Sequence, residues 1–243
     1  MVKPRRRAKT AERTDAGEST RENLLAAARA AFGESGLEGA RVDDIAHRAG
    51  VNKQLVYHYF GSKDELYTAV LEQVYSEIRS RELELNLDVL SPIDAMRKLI
   101  EFEFDHHLLS PDFVRILSDE NAHLGRHLKG TRAGKLNRPI VDLVSSTIER
   151  GVKSGDFRSG LDPLQVYLSI AALPYFFFGN IHTLSRAFDP TLATKAGAVR
   201  RREQIVDFAM HALLAGTKSH TEPPAAARRS RGPFTRSVKA VSG

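Results

Sequence analysis

The segment Val42 to Lys63, VDDIAHRAGVNKQLVYHYFGSK, sets small, apolar and turn-forming residues at a spacing that few folds accept. Ile45, Ala46, Ala49, Val51, Val56 and Tyr59 fall where two short helices joined by a tight turn press together. Two helices that cross steeply need a small residue at closest approach, which Ala46 supplies. The chain must also reverse through a left-handed conformation that Gly50 adopts at little cost. This spacing predicts a helix-turn-helix.

Punctuation on either side agrees. Asn52 is placed to cap the second helix, and Ser62-Lys63-Asp64-Glu65 has the S-x-x-E form of a capping box for a third. With Leu55, Val56 and Phe60 turned inward, Lys53, Gln54, Tyr57 and His58 line the outer face of the second helix. Amide, ammonium, phenol and imidazole groups on one exposed helix face are the chemistry that reads DNA.

The run Val51 to Lys63, VNKQLVYHYFGSK, resembles the recognition helix and following turn of the TetR family of bacterial regulators, and Asn23 to Gly39 resembles that family's first helix and loop. The specific likeness covers roughly Ser19 to Val74; beyond it the match is one of architecture. The resemblance implies an all-α protein in which an N-terminal three-helix head is joined to a helical ligand-binding and dimerisation domain. It also implies a homodimer on a palindromic operator in double-stranded DNA, acting as a repressor that a small-molecule effector releases. Arg41, Asn52, Lys53, Gln54, Tyr57, His58, Tyr59 and Lys63 are the DNA-binding candidates. Gln54, near the start of the helix, is assigned to a base, and Lys63 to a phosphate. The sequence departs from the family in two places. Ala40-Arg41 stands where Thr or Ser usually precedes the motif, which removes a side-chain cap, and Gln54-Leu55 replaces the commoner Gly-Thr, so the operators of relatives do not carry over.

Composition narrows the field. The chain has no cysteine, which excludes a disulfide scaffold and a Cys-ligated zinc. The N-terminus, MVKPRRRAKT, has no apolar stretch behind it, and a cytoplasmic location is expected. Of the net charge of +6, residues 1–13 and 216–243 each hold +5, so the residues between them carry −4. The basicity is terminal, and the recognition helix has to carry the argument for DNA.

Four stretches follow: a basic arm without helical periodicity over 1–18, the head over 19–65, an effector and dimerisation domain over 66–216, and a disordered basic tail over 217–243. Ser19 with Glu22 reads as a capping box opening a helix with Leu24, Leu25, Ala28, Ala31 and Phe32 on one face, ending at Gly36. Leu66, Val70, Leu71, Val74 and Ile78 predict a long helix bridging head and body, and Leu83, Leu85 and Leu87 its end and a connection. Ser91-Pro92, Ser110-Pro111 and Asp162-Pro163 each read as a cap followed by Pro at the first helical position. From Pro163 to Ser185 there is no charged residue. A membrane span is weighed against this stretch, but Gln165, Tyr167, Ser169, Pro174, Asn180 and His182 interrupt it, and a helix buried on several sides fits better. Together with a last helix over 200–214, whose face is Ile205, Phe208, Ala209, Ala212 and Leu213, it is expected to pair with its copy in a second subunit.

Phe102, His106, Phe113, Tyr175 and Phe178 are the candidates for an effector pocket between helices. His123 and His127 have i, i+4 spacing but sit in a Gly-interrupted segment, so surface or pocket histidines are the simpler reading and no metal or cofactor is called for. No G-x-S-x-G, S-x-x-K, P-loop or H-E-x-x-H supports an enzyme. An architectural protein using its basic tails without sequence preference is the competing DNA-binding class. Arg5-Arg6-Arg7 either lies along phosphates or is merely solvated. Deleting residues 1–13 is expected to weaken operator binding without changing the preferred sequence. Each lost phosphate contact lowers the slope of log K against log salt by about 0.9, and a salt titration of both proteins measures it.

Overall fold

The computed structural model describes residues 6–216, giving only the backbone of 6–16 and 133–135. Among the described residues the only extended pairing is an isolated bridge between Phe157 and Leu214. The helices are α1 (Arg6–Gly39), α2 (Val42–Arg48), α3 (Lys53–Phe60), α4 (Lys63–Leu83), α5 (Pro92–Leu109), α6 (Pro111–Ala122), α7 (Ala133–Ser154), α8 (Pro163–Gly179), α9 (Ile181–Ala187) and α10 (Lys195–Leu213).

Residues 6–18, expected as an irregular arm, instead belong to α1. Arg, Ala, Lys and Glu are good helix formers, and no Pro or Gly interrupts the chain between 6 and 16. The missing apolar periodicity did not mean that these turns are unwound. Ser19 therefore lies mid-helix and caps nothing. Gly36 does break α1, with φ 67° and ψ 179°. Met1–Arg5 and the basic tail 217–243 lie outside the described residues.

Two cores organise the rest. The first joins α1, α2, α3 and α4 around Leu24, Phe32, Ile45, Val56, Leu66, Tyr67 and Leu71, and it also takes in Phe113, Val114 and Ile116 of α6. The second joins α5, α7, α8 and α10 around Met96, Phe104, Val144, Ile170, Phe177 and Ile205. The bridging α4 crosses residue 65, and α6 packs along α1. Head and body thus share a core across their sequence boundary.

Side-chain caps at Ser62, Ser91 and Asp162 each accept a hydrogen bond from the amide three residues on. Ser110 makes none, and Pro111 alone starts α6. Arg150 donates to the carbonyls of Leu87 and Leu90, holding the connection after α4. The uncharged stretch is not one helix: Asn180 ends α8, and α9 departs at 66°. Among the described residues no single helix is long and apolar enough to cross a membrane. On α10 the buried stripe is Ile205, Val206, Ala209, Met210 and Leu213, whereas Phe208 is 62% exposed. The inward face is thus rotated from the one expected.

Gly151 shows why a glycine sits inside α7. A Cβ there would fall within the ring of Phe157, which folds back beneath the helix and is buried. Replacing a mid-helix Gly by Ala ordinarily stabilises by about 1 kcal/mol. Gly151→Ala is expected instead to destabilise by about 1–3 kcal/mol through overpacking. The shift in urea midpoint is the measurement, and Phe157→Leu in the same chain should recover part of it.

Candidate DNA-reading surface and effector cavity

The reading surface is built on α3. Gly50 turns the chain at φ 68°. Asn52 Oδ1 accepts from the Leu55 amide at 3.0 Å. Val56 and Phe60 are buried and Leu55 is half-buried, so Lys53, Gln54, Tyr57 and His58 share the outer side. Gln54 is exposed and makes no hydrogen bond within the described residues, leaving its amide free for an adenine edge. Tyr57 is 44% exposed, and His58 stands edge-to-face on the half-buried Tyr59 ring at 5.4 Å.

Other candidates are engaged inside the head. Lys53 Nζ pairs with Asp43 at 3.0 Å across the motif, a contact exposed enough to exchange for a phosphate. Arg41 precedes α2 with an exposed side chain and no capping bond, as its place in the sequence suggests. Asn52 is occupied as a cap. Lys63 Nζ donates to the carbonyl of Ala40 at 3.2 Å and approaches that of Glu38 at 3.5 Å, so its ammonium closes the end of α1. No spacing rule relates Lys63 to residues more than twenty positions earlier.

A cavity of about 370 Å³ opens between α4, α5, α6, α7 and α8. Of the pocket candidates, Phe113 and Tyr175 line it. Phe102, His106 and Phe178 do not. Phe102 and His106 stack on each other at 5.8 Å, with Arg81 near both, and Phe178 packs on Phe104. Adjacent positions on a helix diverge by about 100°, so on α5 His107, not His106, reaches the cavity. Burial lowers the pKa of His106 to about 4 and also lowers that of His107, so both rings are neutral near pH 7.

The inner wall holds charges that the sequence reading missed. Arg79, Glu103 and Tyr167 line the cavity, and Glu82 lies behind them with no exposure. Arg79 pairs with Glu82 at 2.7 Å, bonds to the Tyr167 hydroxyl and lies over the Tyr167 ring. A signal was available. Arg79 and Glu82 continue the buried stripe of Val74 and Ile78, and Glu103 adjoins Phe104 in phase with Leu99 and Ile100, so the helical period puts charge where the core must be.

The cavity communicates with the head through α6. Phe113, Leu117 and Asn121 of α6 line the cavity. On its other side Asp112 pairs with Arg29 of α1, and Asp119 accepts from the Leu37 amide and the Tyr67 hydroxyl, each at 2.9 Å. A second cavity, about 560 Å³, lies at this junction between the end of α1, α6 and Phe178.

A helix-turn-helix head with an exposed polar recognition face, carried on a helical body with an internal cavity, defines a DNA-binding regulator of the ligand-responsive class. Residues 24–70 match the model of the bacterial regulatory proteins, tetR family, and residues 92–209 match a tetracyclin repressor-like C-terminal domain. The chain belongs to the TetR family. It is 36% identical over 206 residues to the HTH-type transcriptional repressor NicS of Pseudomonas putida, covering 84% of this chain and 97% of that one. It is 27% identical to the regulator RutR of Escherichia coli, covering 86% and 95%. Among solved structures it is similar to a putative transcriptional regulator, SCO4942, of Streptomyces coelicolor, with TM-score 0.61, 26% identity and coverage of 80% and 98%. The ketosteroid transcriptional regulator KstR2 of Mycobacterium tuberculosis has the same fold, with TM-score 0.61, 23% identity and coverage of 81% and 95%. The protein is a TetR-type DNA-binding transcriptional regulator and not an enzyme.

Two substitutions separate reading from holding. Gln54→Ala is expected to cost about 1–3 kcal/mol on the preferred operator and to relax preference at one position per half-site. Lys63→Ala should weaken all sequences alike and, through its lost carbonyl bonds, lower the stability of the head by about 1 kcal/mol. Binding-site selection with each variant, alongside thermal melting, distinguishes them.

Proposed function

We propose that this chain represses its target genes as a homodimer on a palindromic operator and leaves DNA when a small molecule enters the cavity beside Tyr167. The observation that carries this reading is the double duty of α6, which forms one wall of the cavity and is pinned by Asp112 and Asp119 to the helix that supports the recognition motif. A ligand that displaces Phe113 or Leu117 moves the same helix that Arg29 and Leu37 hold. Because side chains are close-packed, such a shift is passed on and not absorbed locally.

Dimerisation is assigned to α8 and α10. Phe176 is 57% exposed, Val199 56% and Phe208 62%, more apolar ring and branch than one chain leaves in water without a partner. An open groove lined by Leu161, Leu173, Phe208 and Ala212 runs between the two helices. Seating the copy there buries these faces symmetrically, as a two-fold interface requires. Two heads related by that axis read an inverted repeat. Action on DNA places the protein in the cytoplasm.

Capture of genomic fragments by the purified protein is expected to recover an inverted repeat. Phe208→Glu, which puts a charge into the groove, should make a monomer by sedimentation and weaken binding to the repeat by more than about 100-fold through loss of the second half-site. Recovery of fragments with no shared motif would support the architectural reading instead.

A further inference from the structure

α6 is tied unequally to the two parts of the protein that it joins. Toward the head, Asp112 pairs with Arg29, Asp119 accepts from the Leu37 amide and the Tyr67 hydroxyl, and Phe113, Val114 and Ile116 belong to the head's apolar core. Toward α5, α7 and α8, α6 makes one hydrogen bond among the described residues, between Ser118 Oγ and the Tyr175 hydroxyl of α8 at 3.0 Å. Its direction is fixed. Ser118 spends its own proton on the Val114 carbonyl at 2.8 Å, so the phenol donates and Ser118 accepts.

The bond lies on the divide between the two cavities. Tyr175 lines the 370 Å³ cavity, its ring edge-on to that of His107 at 6.4 Å, and Ser118 lines the 560 Å³ cavity at the junction. Ala171, one turn before Tyr175 on the same face of α8, also lines the first cavity. Open space thus flanks the bond on both sides. The bond, and not side chains packed around it, sets the spacing of α6 and α8 at this level.

Resting on the reading of the 370 Å³ cavity as the effector site, we propose that the Tyr175–Ser118 bond is a latch: closed, it holds α6 to the body in the DNA-binding arrangement, and an occupant of the cavity opens it by turning the Tyr175 ring. The hydroxyl stands at the far end of a rigid ring, so a turn about the first side-chain torsion moves it farther than any other atom of the residue. A bond of this length has about 0.5 Å of travel before it is lost. Once it opens, α6 stays with the head through Asp112 and Asp119, and the two move together away from α8. The latch is neutral and open to solvent at Ser118, which suits a switch. A net contribution of that kind biases two states by about fivefold, a bias that a small ligand overcomes.

Because the chain has no cysteine, Ala171→Cys supplies a single thiol beside Tyr175 and permits a covalent occupant. The full-length dimer carrying it is equilibrated with the mixed disulfide of benzyl mercaptan and 2-mercaptoethanol, and intact mass gives the constant for placing the benzyl group in the cavity. Tyr175→Phe and Ser118→Ala each remove one hydroxyl, and each is expected to raise that constant about fivefold. The two together should raise it no further, because both remove the same bond. Ser118 does not line the effector cavity, so its substitution reports on the bond and not on the fit of the benzyl group. Val141→Cys, on the α7 wall of the same cavity, repeats the measurement from a second tether. The benzylated protein is expected to bind the inverted repeat recovered by genomic capture at least about tenfold more weakly than the free-thiol form. Constants that neither substitution changes, or effects that add in the double variant, overturn the latch while leaving the cavity as the effector site. Operator affinities within about twofold of each other for benzylated and free-thiol protein at both positions, or no benzyl adduct at either, overturn the cavity reading itself, and this inference with it.

Discussion

The carboxylate of Asp119 is the contact on which the arrangement of head and body depends. Gly36 breaks α1 with a positive φ, and the break leaves the Leu37 amide without its helical acceptor. Asp119, from the other domain, supplies one and accepts from Tyr67 as well. Tyr67 is fully buried, stacks edge-to-face on Phe32, and has its hydroxyl pKa raised by burial and by Asp119. Loss of this one acid would strand the Leu37 amide at a cost of about 1–3 kcal/mol and leave the Tyr67 hydroxyl only the Ile116 carbonyl as acceptor. That is why α6, in sequence part of the body, behaves in the structure as part of the head's foundation.

Arg29 reinforces the same junction. It meets Asp112 of α6 and Glu77 of α4, so three helices converge on one guanidinium. A planar fork that satisfies two carboxylates fixes their relative orientation more tightly than a point charge would. The pair is partly buried and thereby shielded from salt to a greater degree than the surface bridges between Arg48 and Glu34 or Lys53 and Asp43.

The recognition motif was legible because its constraints are local: Ala46 at a crossing, Gly50 in a turn and Asn52 at a cap are each dictated within a few residues. The same holds for Ser62, Ser91 and Asp162. What was not legible depends on residues distant in sequence. Lys63 looks free until the end of α1 arrives beside it, and Phe208 looks inward until the packing of α10 on α5 fixes its rotation. His106 and His107 are neighbours in sequence that only the packing of α5 could separate into a ring stacked on Phe102 and a cavity wall. The first turns of α1 were missed for the opposite reason, since good helix formers run there but no core pattern marks them. Arg79, Glu82 and Glu103 stood in phase with apolar stripes, and that disagreement between charge and period was the available sign of a polar cluster in the interior.

The closure of the end of α1 by Lys63 has a consequence for how strongly a small ligand can act. With its helices locked by that ammonium, by the cap at Asn52 and by a shared core, the head moves as one stiff body. Once one head of a pair is seated, the second sees its half-site at an effective concentration set by geometry alone. A stiff head cannot bend to reach a half-site from a misaligned start, so that concentration falls steeply with a small change of angle. Under the proposed mechanism, a modest displacement of α6 is thereby amplified into a large loss of occupancy, with no contact to any base having changed.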